Sequence, residues 1–151
     1  MDLQLSLKRA GASNMTTVFT NGVFDLLHAG HVRLLEFARL QGDCLIVAIN
    51  SDASVRRSKG PDRPIIPAEE RAEIIRSLRC VDEVRIFDED TPVTLIRRLR
   101  PDVLVKGPNC QRAAIPGAAL VQSWGGQVIV PDWNIQQSTT RIVNRMRQCN
   151  S

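Results

Sequence analysis

Both histidines of this 151-residue chain, His28 and His31, lie in one stretch, Thr20-Asn21-Gly22-Val23-Phe24-Asp25-Leu26-Leu27-His28-Ala29-Gly30-His31. Three positions is about one helical turn, so the two imidazoles share a helical face. The stretch follows the β-branched run 16–19 and precedes the periodic segment Val32 to Leu40. It therefore reads as a strand end, a glycine-containing turn and a helix start. At a helix N-terminus the backbone N–H groups, the helix dipole and nearby ring donors all favour anionic oxygen, and phosphate is the obvious guest. A lone histidine is more often the satisfied partner of a nearby carbonyl. The pair inside Gly-Val-Phe-Asp-x-x-His-x-Gly-His is far more specific than either half.

Further donors are spread along the chain. Lys59 stands in Arg56-Arg57-Ser58-Lys59-Gly60, on a loop after the second strand, and Arg63 follows shortly. Arg71 lies on a helix whose other charges face water. Lys106 closes an apolar strand, where an ammonium is costly unless it meets an anion or water. Ser138-Thr139-Thr140-Arg141 offers hydroxyls, N–H groups and a guanidinium at a helix start, a second phosphate site. An ordinary N-cap would account for Ser138 or Thr139 alone. Arg97, Arg98 and Arg100 read as a solvated helical face. Neither a P-loop nor Gly-x-Gly-x-x-Gly is present, so the phosphates are held some other way.

The elements that must position these groups alternate between strand and helix. Cys44 to Ile49 is a continuous apolar run of strand length, as in a parallel strand covered on both faces. The stretch 50–66, with its Lys, Arg, Gly and Pro, reads as a surface loop. Pro67-Ala68-Glu69-Glu70 opens a helix to about Arg79, with proline first and acids in the first turn. Glu83 to Phe87 is the next strand, and Thr91-Pro92 caps a helix to about Arg100. Val103-Leu104-Val105 is a short buried strand. A helix spans about Ile115 to Trp124, Val128 to Val130 is the fifth strand, and Ser138-Thr139-Thr140 starts the last helix. Five strands alternating with helices predict a doubly wound parallel α/β sheet. In such a sheet the loops after the first and fourth strands flank the point where strand order reverses, which sets the histidine turn opposite Lys106-Gly107-Pro108-Asn109.

Composition narrows the classes. Residues 1–15 read as a loosely ordered tail, with Met15 a candidate start, and 16–151 as one domain. No apolar run approaches a membrane span and the N-terminus lacks the apolar core of a signal peptide, so a cytoplasmic protein without membrane contact is expected. Net charge is +4, but the basic residues are dispersed and aromatics are 4% of the chain, which argues against nucleic acid and for a small polyanion. Cys44, Cys80, Cys110 and Cys149 show no metal-ligand spacing, so no protein-bound metal is expected; Cys110, in a loop, is the accessible thiol.

The His-x-Gly-His segment resembles the signature of the cytidylyltransferase-like nucleotidyltransferases. From Thr16 to about Gln148 the chain is further similar to the heptose branch of that family, the adenylyltransferases that make ADP-heptose from D-glycero-β-D-manno-heptose 1-phosphate and ATP. The matching stretches are Thr20 to His31, Asn50 to Ser54, Lys59-Gly60, Arg63-Pro64, Pro67 to Arg71, Glu89 to Pro92, Pro101 to Gly107, and Ser138 to Thr140. The chain departs from the branch at Pro108-Asn109-Cys110, where Gly-Asp-Tyr is usual, and at Gln136-Gln137, where a glycine is usual. The resemblance implies that both loops help to form the base pocket, and Trp133 upstream is either a base-stacking ring or a core cover.

The resemblance implies a Rossmann-like nucleotidyltransferase fold and in-line attack of the sugar-phosphate oxygen on the α-phosphorus of ATP, with pyrophosphate leaving. It implies that His28 and His31 bond the triphosphate, with Asn21, Gly22, Val23, Phe24, Gly30, Lys106, Ser138, Thr139, Thr140 and Arg141 around the nucleotide. Lys59, Arg63 and Arg71 would face the sugar phosphate or the triphosphate, Lys59 and Lys106 joining the histidines in catalysis. Mg²⁺ would be carried mainly by ATP, and Asp25 would be a structural hydrogen-bond partner. Homo-oligomers, a role in carbohydrate metabolism such as lipopolysaccharide core synthesis, and a separate kinase supplying the sugar 1-phosphate are also implied. Two alternatives stand beside this one: a cytidylyltransferase acting on glycerol 3-phosphate or another small phosphate, and a non-enzymatic nucleotide-binding module.

Overall fold

The protein is seen here in a computed structural model that describes residues 15–111, 114–134 and 137–149. Residues 1–14 of the expected tail lie outside the described residues; Met15 is partly buried against the core. The central strand β1 (Thr17–Gly22) pairs in parallel with β2 (Cys44–Asn50) on one side and β4 (Val103–Val105) on the other. β3 (Glu83–Phe87) and β5 (Gln127–Ile129) form the edges, giving the order β3-β2-β1-β4-β5, all parallel. The expected doubly wound five-stranded sheet is therefore present, with strand order reversing at β1.

Period-two alternation sends successive side chains to opposite faces. Val18, Leu45, Val47, Ile49, Val103 and Val105 pack on one face with Leu35 and Ala38 of α1 (Ala29–Arg39) and Ala72 and Ile75 of α3 (Ala68–Arg76). Phe19, Ile46, Ala48 and Leu104 pack on the other with Ile96 and Leu99 of α4 (Val93–Leu99) and Val121 of α5 (Ala118–Ser123). Coverage on both faces explains why β2 is almost wholly apolar. Aspartates tie the strand starts together: Asp102 accepts from Thr17 N at 2.7 Å and Thr17 Oγ1 at 2.9 Å, and Asp82 accepts from Leu45 N at 2.7 Å.

One element departs from expectation. The stretch read as a surface loop, 50–66, contains a helix, α2 (Asp52–Lys59), so Lys59 ends a helix instead of riding a loop. α2 carries almost no apolar stripe, only Val55 being a buried hydrophobe, and it is built by its ends. Ser51 Oγ caps it by accepting from Ser54 N at 3.1 Å, Asp52 lies in its first turn, and Arg56, Arg57 and Lys59 lie in its last. The last helix, α6 (Thr139–Cys149), starts where Ser138-Thr139-Thr140 predicts, and none of its residues is buried.

Candidate active site

β1 runs through Thr20 and Asn21 to Gly22, and the chain then turns sharply. A Cβ on Gly22 would lie 3.0 Å from the Phe24 ring, so glycine here lets that ring fold back over the strand end. Phe24 (φ 51°) and Leu26 (φ 52°) both sit in the left-handed region, which bulky residues seldom enter unless their surroundings compel it. Between them is Asp25, whose carboxylate is buried and bonded three times: to Arg63 Nε at 2.9 Å, Ile65 N at 2.8 Å and Ile66 N at 2.9 Å. Burial pushes this carboxyl up, but the Ile65 and Ile66 N–H groups and Arg63 outweigh it and hold the carboxyl below its ordinary value.

The turn delivers His28 as the N-cap of α1, not as a residue of its first turn. His28 Nδ1 accepts from Gly30 N at 3.1 Å, and His31 Nδ1 accepts from His28 N at 3.3 Å. This is a capping box built from two imidazoles in place of Ser and Glu. The rings stack with centroids 3.7 Å apart and planes 24° apart. Because each Nδ1 accepts a backbone N–H, each neutral ring carries its proton on Nε2. Burial lowers the His28 pKa, and burial, then the neighbouring His28, lower that of His31 to about 4 against a smaller opposing pull from Asp25. At neutral pH the site thus holds two stacked, uncharged rings with Nε2–H donors beside a helix N-terminus.

These rings open into a cavity of about 390 Å³ at the topological switch point. Val23, Phe24, Asp25, Gly30 and the histidines line its centre; Lys59 and Arg63 come from the β2 side. Gly107, Pro108, Asn109 and Cys110 follow β4, and Gln137, Ser138, Thr139 and Thr140 follow β5. Thr139 Oγ1 donates to the Asp25 carbonyl at 2.5 Å, which seats α6 against the central turn. Asn109, Cys110 and Gln137 line the cavity, in the two loops that the resemblance places around the base; Gln136 lies outside the described residues. A larger open groove of about 880 Å³ runs along α6 and includes Arg141, but neither histidine borders it.

Several expected residues stand elsewhere. Arg71 is corrected: it is 1% exposed and does not reach the cavity. Its guanidinium donates to Ile66 O at 2.8 Å, Val23 O at 2.7 Å and Asp52 Oδ1 at 2.7 Å, so its charge is consumed inside the fold. Lys106 also lies behind the wall, with Nζ donating to Asn21 O at 3.2 Å and Asn21 Oδ1 at 3.0 Å; burial lowers its pKa. Asn21 and Gly22 belong to this layer behind the cavity and Arg141 to the α6 groove. Trp133 packs edge-on against Phe37 on the outside of α1, centroids 4.7 Å apart, and so covers the core instead of facing the site.

Two neutral ring donors, a helix N-terminus and flanking cations can hold a chain of phosphates. The lining offers one carboxylate, Asp25, whose oxygens already take three donors, and among the described residues no group of three His, Cys, Asp or Glu is placed to hold a metal. A family model described as cytidylyltransferase-like matches residues 19–145. The chain belongs to the cytidylyltransferase-like family. Bifunctional protein HldE of Syntrophotalea carbinolica is 53% identical over 131 residues, covering 87% of this chain and 27% of that protein. Bifunctional protein HldE of Streptomyces coelicolor is 50% identical over 137 residues, covering 91% and 30%. This member of the family thus spans less than a third of those curated relatives. A lipopolysaccharide core biosynthesis protein from Thermoplasma volcanium shares its fold with a TM-score of 0.65 at 28% identity, covering 78% of this chain and 94% of that one. Pantoate-beta-alanine ligase from Francisella tularensis, at 16% identity and a TM-score of 0.60, shows the fold alone. No described helix is long and apolar enough to cross a membrane.

Proposed function

We propose that this chain transfers AMP from ATP to D-glycero-β-D-manno-heptose 1-phosphate, giving ADP-heptose and pyrophosphate. The observation that carries this reading is the imidazole capping box: two stacked rings with both Nδ1 atoms occupied by backbone donors and both Nε2 atoms left to serve the cavity. A phosphate oxygen of the acceptor attacks the α-phosphorus in line, the bond to the β-phosphate oxygen breaks, and pyrophosphate departs. No protein nucleophile is needed, so catalysis consists of positioning and stabilisation of developing charge. The Nε2–H groups of His28 and His31 would donate to the triphosphate as charge builds on its α-phosphate and leaving oxygen. Ser138, Thr139 and Thr140 at the start of α6 would hold the nucleotide, and Lys59 and Arg63 the incoming phosphate. Magnesium would arrive on the nucleotide, since among the described residues the one carboxylate lining the cavity, Asp25, is already committed to three donors. Lys106 acts on this reading by fixing Asn21 at the end of β1.

The similarity over most of the chain to proteins named HldE, and to a lipopolysaccharide core biosynthesis protein, supports the heptose acceptor and a product used in glycan assembly. A specific observation favours a second reading, a cytidylyltransferase acting on glycerol 3-phosphate: Pro108, Asn109 and Cys110, where the chain departs from the heptose branch, line the cavity. The test is pyrophosphate release from a panel of nucleoside triphosphates crossed with β- and α-heptose 1-phosphate and glycerol 3-phosphate. Turnover with ATP and the β-heptose phosphate is expected. Preference for CTP with glycerol 3-phosphate would install the second reading, and ATP binding without pyrophosphate from any acceptor would leave a nucleotide-binding module.

A further inference from the structure

The strand order divides the cavity. The histidine turn follows the central strand β1; the wall made by Lys59 and Arg63 descends from its β2 side, and the walls made by 107–110 and 137–140 from its β4 and β5 side. A two-substrate transfer needs two such half-sites meeting at the histidines. Resting on the nucleotidyltransfer reading, in which Lys59 and Arg63 take the acceptor, we infer that Asp25 is a positioning residue that aims the Arg63 guanidinium at the acceptor's phosphate.

Arg63 lines the cavity, its side chain is 16% exposed, and among the described residues its guanidinium makes one hydrogen bond, through Nε to Asp25. Nη1 and Nη2 are left as a fork of the kind that meets two oxygens of a phosphate at once. A long side chain on a turn would ordinarily lose that geometry to rotamer freedom. Here the carboxylate that grips Nε also grips Ile65 N and Ile66 N, so arginine and turn are held by one group. Asp25 is itself held, with the left-handed residues Phe24 and Leu26 on either side and Arg71 bonding both Val23 O and Ile66 O. Because two backbone N–H groups share the carboxylate's charge, the Asp25 carboxylate does not consume the whole cation. Lys59, exposed on the same wall, adds a second positive charge. The ligand class is a phosphate monoester, recognised by a bidentate guanidinium beside a point charge.

The test compares Asp25→Asn, Arg63→Ala, Arg63→Lys and the double variant Asp25→Asn/Arg63→Ala, by steady-state pyrophosphate release and by calorimetric binding of heptose 1-phosphate and, separately, ATP. Charge-assisted bonds of this kind support an expected rise of about ten-fold or more in acceptor KM and Kd for Asp25→Asn and Arg63→Ala. Arg63→Lys should recover little, since an ammonium cannot grip Asp25 and present a fork together. ATP Kd should stay within about two-fold, and the double variant should be no worse for the acceptor than Arg63→Ala, because the two residues act through one guanidinium. Unchanged acceptor binding in Arg63→Ala, equal losses for ATP and acceptor, or additive losses in the double variant would each overturn the inference. If Asp25→Asn does not fold, Asp25→Glu, which keeps the charge but displaces the carboxylate, takes its place with the same expected rise in acceptor KM. Failure of wild-type protein to bind heptose 1-phosphate, glycerol 3-phosphate or inorganic phosphate also overturns it, whereas acceptor binding without turnover counts against the nucleotidyltransfer reading alone.

Discussion

The two sides of the cavity are built differently. On the β2 side three side chains behind the wall are committed: Asp25 takes three donors, Arg71 gives to three acceptors, and Asp52 caps α3 by accepting from Ala68 N at 2.8 Å while also holding Arg71. On the β5 side α6 buries none of its residues, and its start is held by Thr139 on the Asp25 carbonyl and by Arg141 N on Ser138 Oγ at 3.2 Å. The first wall is set before any ligand arrives. The second leaves backbone and hydroxyl donors at a helix start for the ligand to complete. A preorganised acceptor wall suits a reaction whose nucleophile must be aligned, because misplacement of the attacking oxygen is costly in rate.

The largest effect should come from removing what both walls share. His28→Ala or His31→Ala is expected to lower kcat by about 10²–10³, the scale for losing one transition-state donor, read by pyrophosphate release. Near-normal turnover in both variants would break the comparison at its centre. The next effect tests the wall behind Arg63: Arg71→Met should cost about 3 kcal/mol in denaturant unfolding, because Asp52, Ile66 O and Val23 O lose a shared buried donor. A variant as stable as wild type would show that this wall is not held by the arginine. Thr139→Val probes the lighter β5 side; removal of one hydrogen bond should raise the KM for ATP by several-fold, with the acceptor KM unchanged.

The smallest effect is in pH. His31, with its pKa lowered to about 4 in the fold, stays neutral there while the unfolded chain takes up a proton below about 6.5. Its contribution to stability is therefore present above pH 6.5 and is lost as pH falls from 6.5 towards 4. Thermal unfolding over that range should show the loss, and His31→Gln should flatten it. Because both Nδ1 atoms accept backbone N–H groups, the rings are expected to meet the triphosphate neutral, so ATP binding at pH 6 should draw no proton onto them, measured by calorimetry in buffers of different ionisation enthalpy. Uptake of about one proton per ATP by the protein would mean that a ring is charged at the cost of the capping box.

Much of the fold was legible because the signals are local and strong. The runs 83–87 and 103–105 read as strands at the bounds they have, and the histidine motif by itself marks a strand-turn-helix junction. α2 was illegible because its evidence is capping and charge at its ends, with one buried hydrophobe in place of a stripe. Arg71 misled for a different reason. An arginine four residues into a charged helix looks solvated or ligand-facing, and its burial depends on Val23, Ile66 and Asp52, which lie 48, 5 and 19 residues away.

By itself, the amino-acid order determined the make-up of the candidate centre: two histidines one turn apart at a helix start, after a strand that ends in glycine. Tertiary structure alone decided which cations share that space. Strand order set Lys59 and Arg63 on one side of the turn and the start of α6 on the other, and hydrogen bonds across tens of residues drew Arg71 and Lys106 inward. Whether a charged side chain meets ligand or protein depends on which acceptors the folded backbone brings within 3 Å of it, and spacing along the chain does not encode that distance.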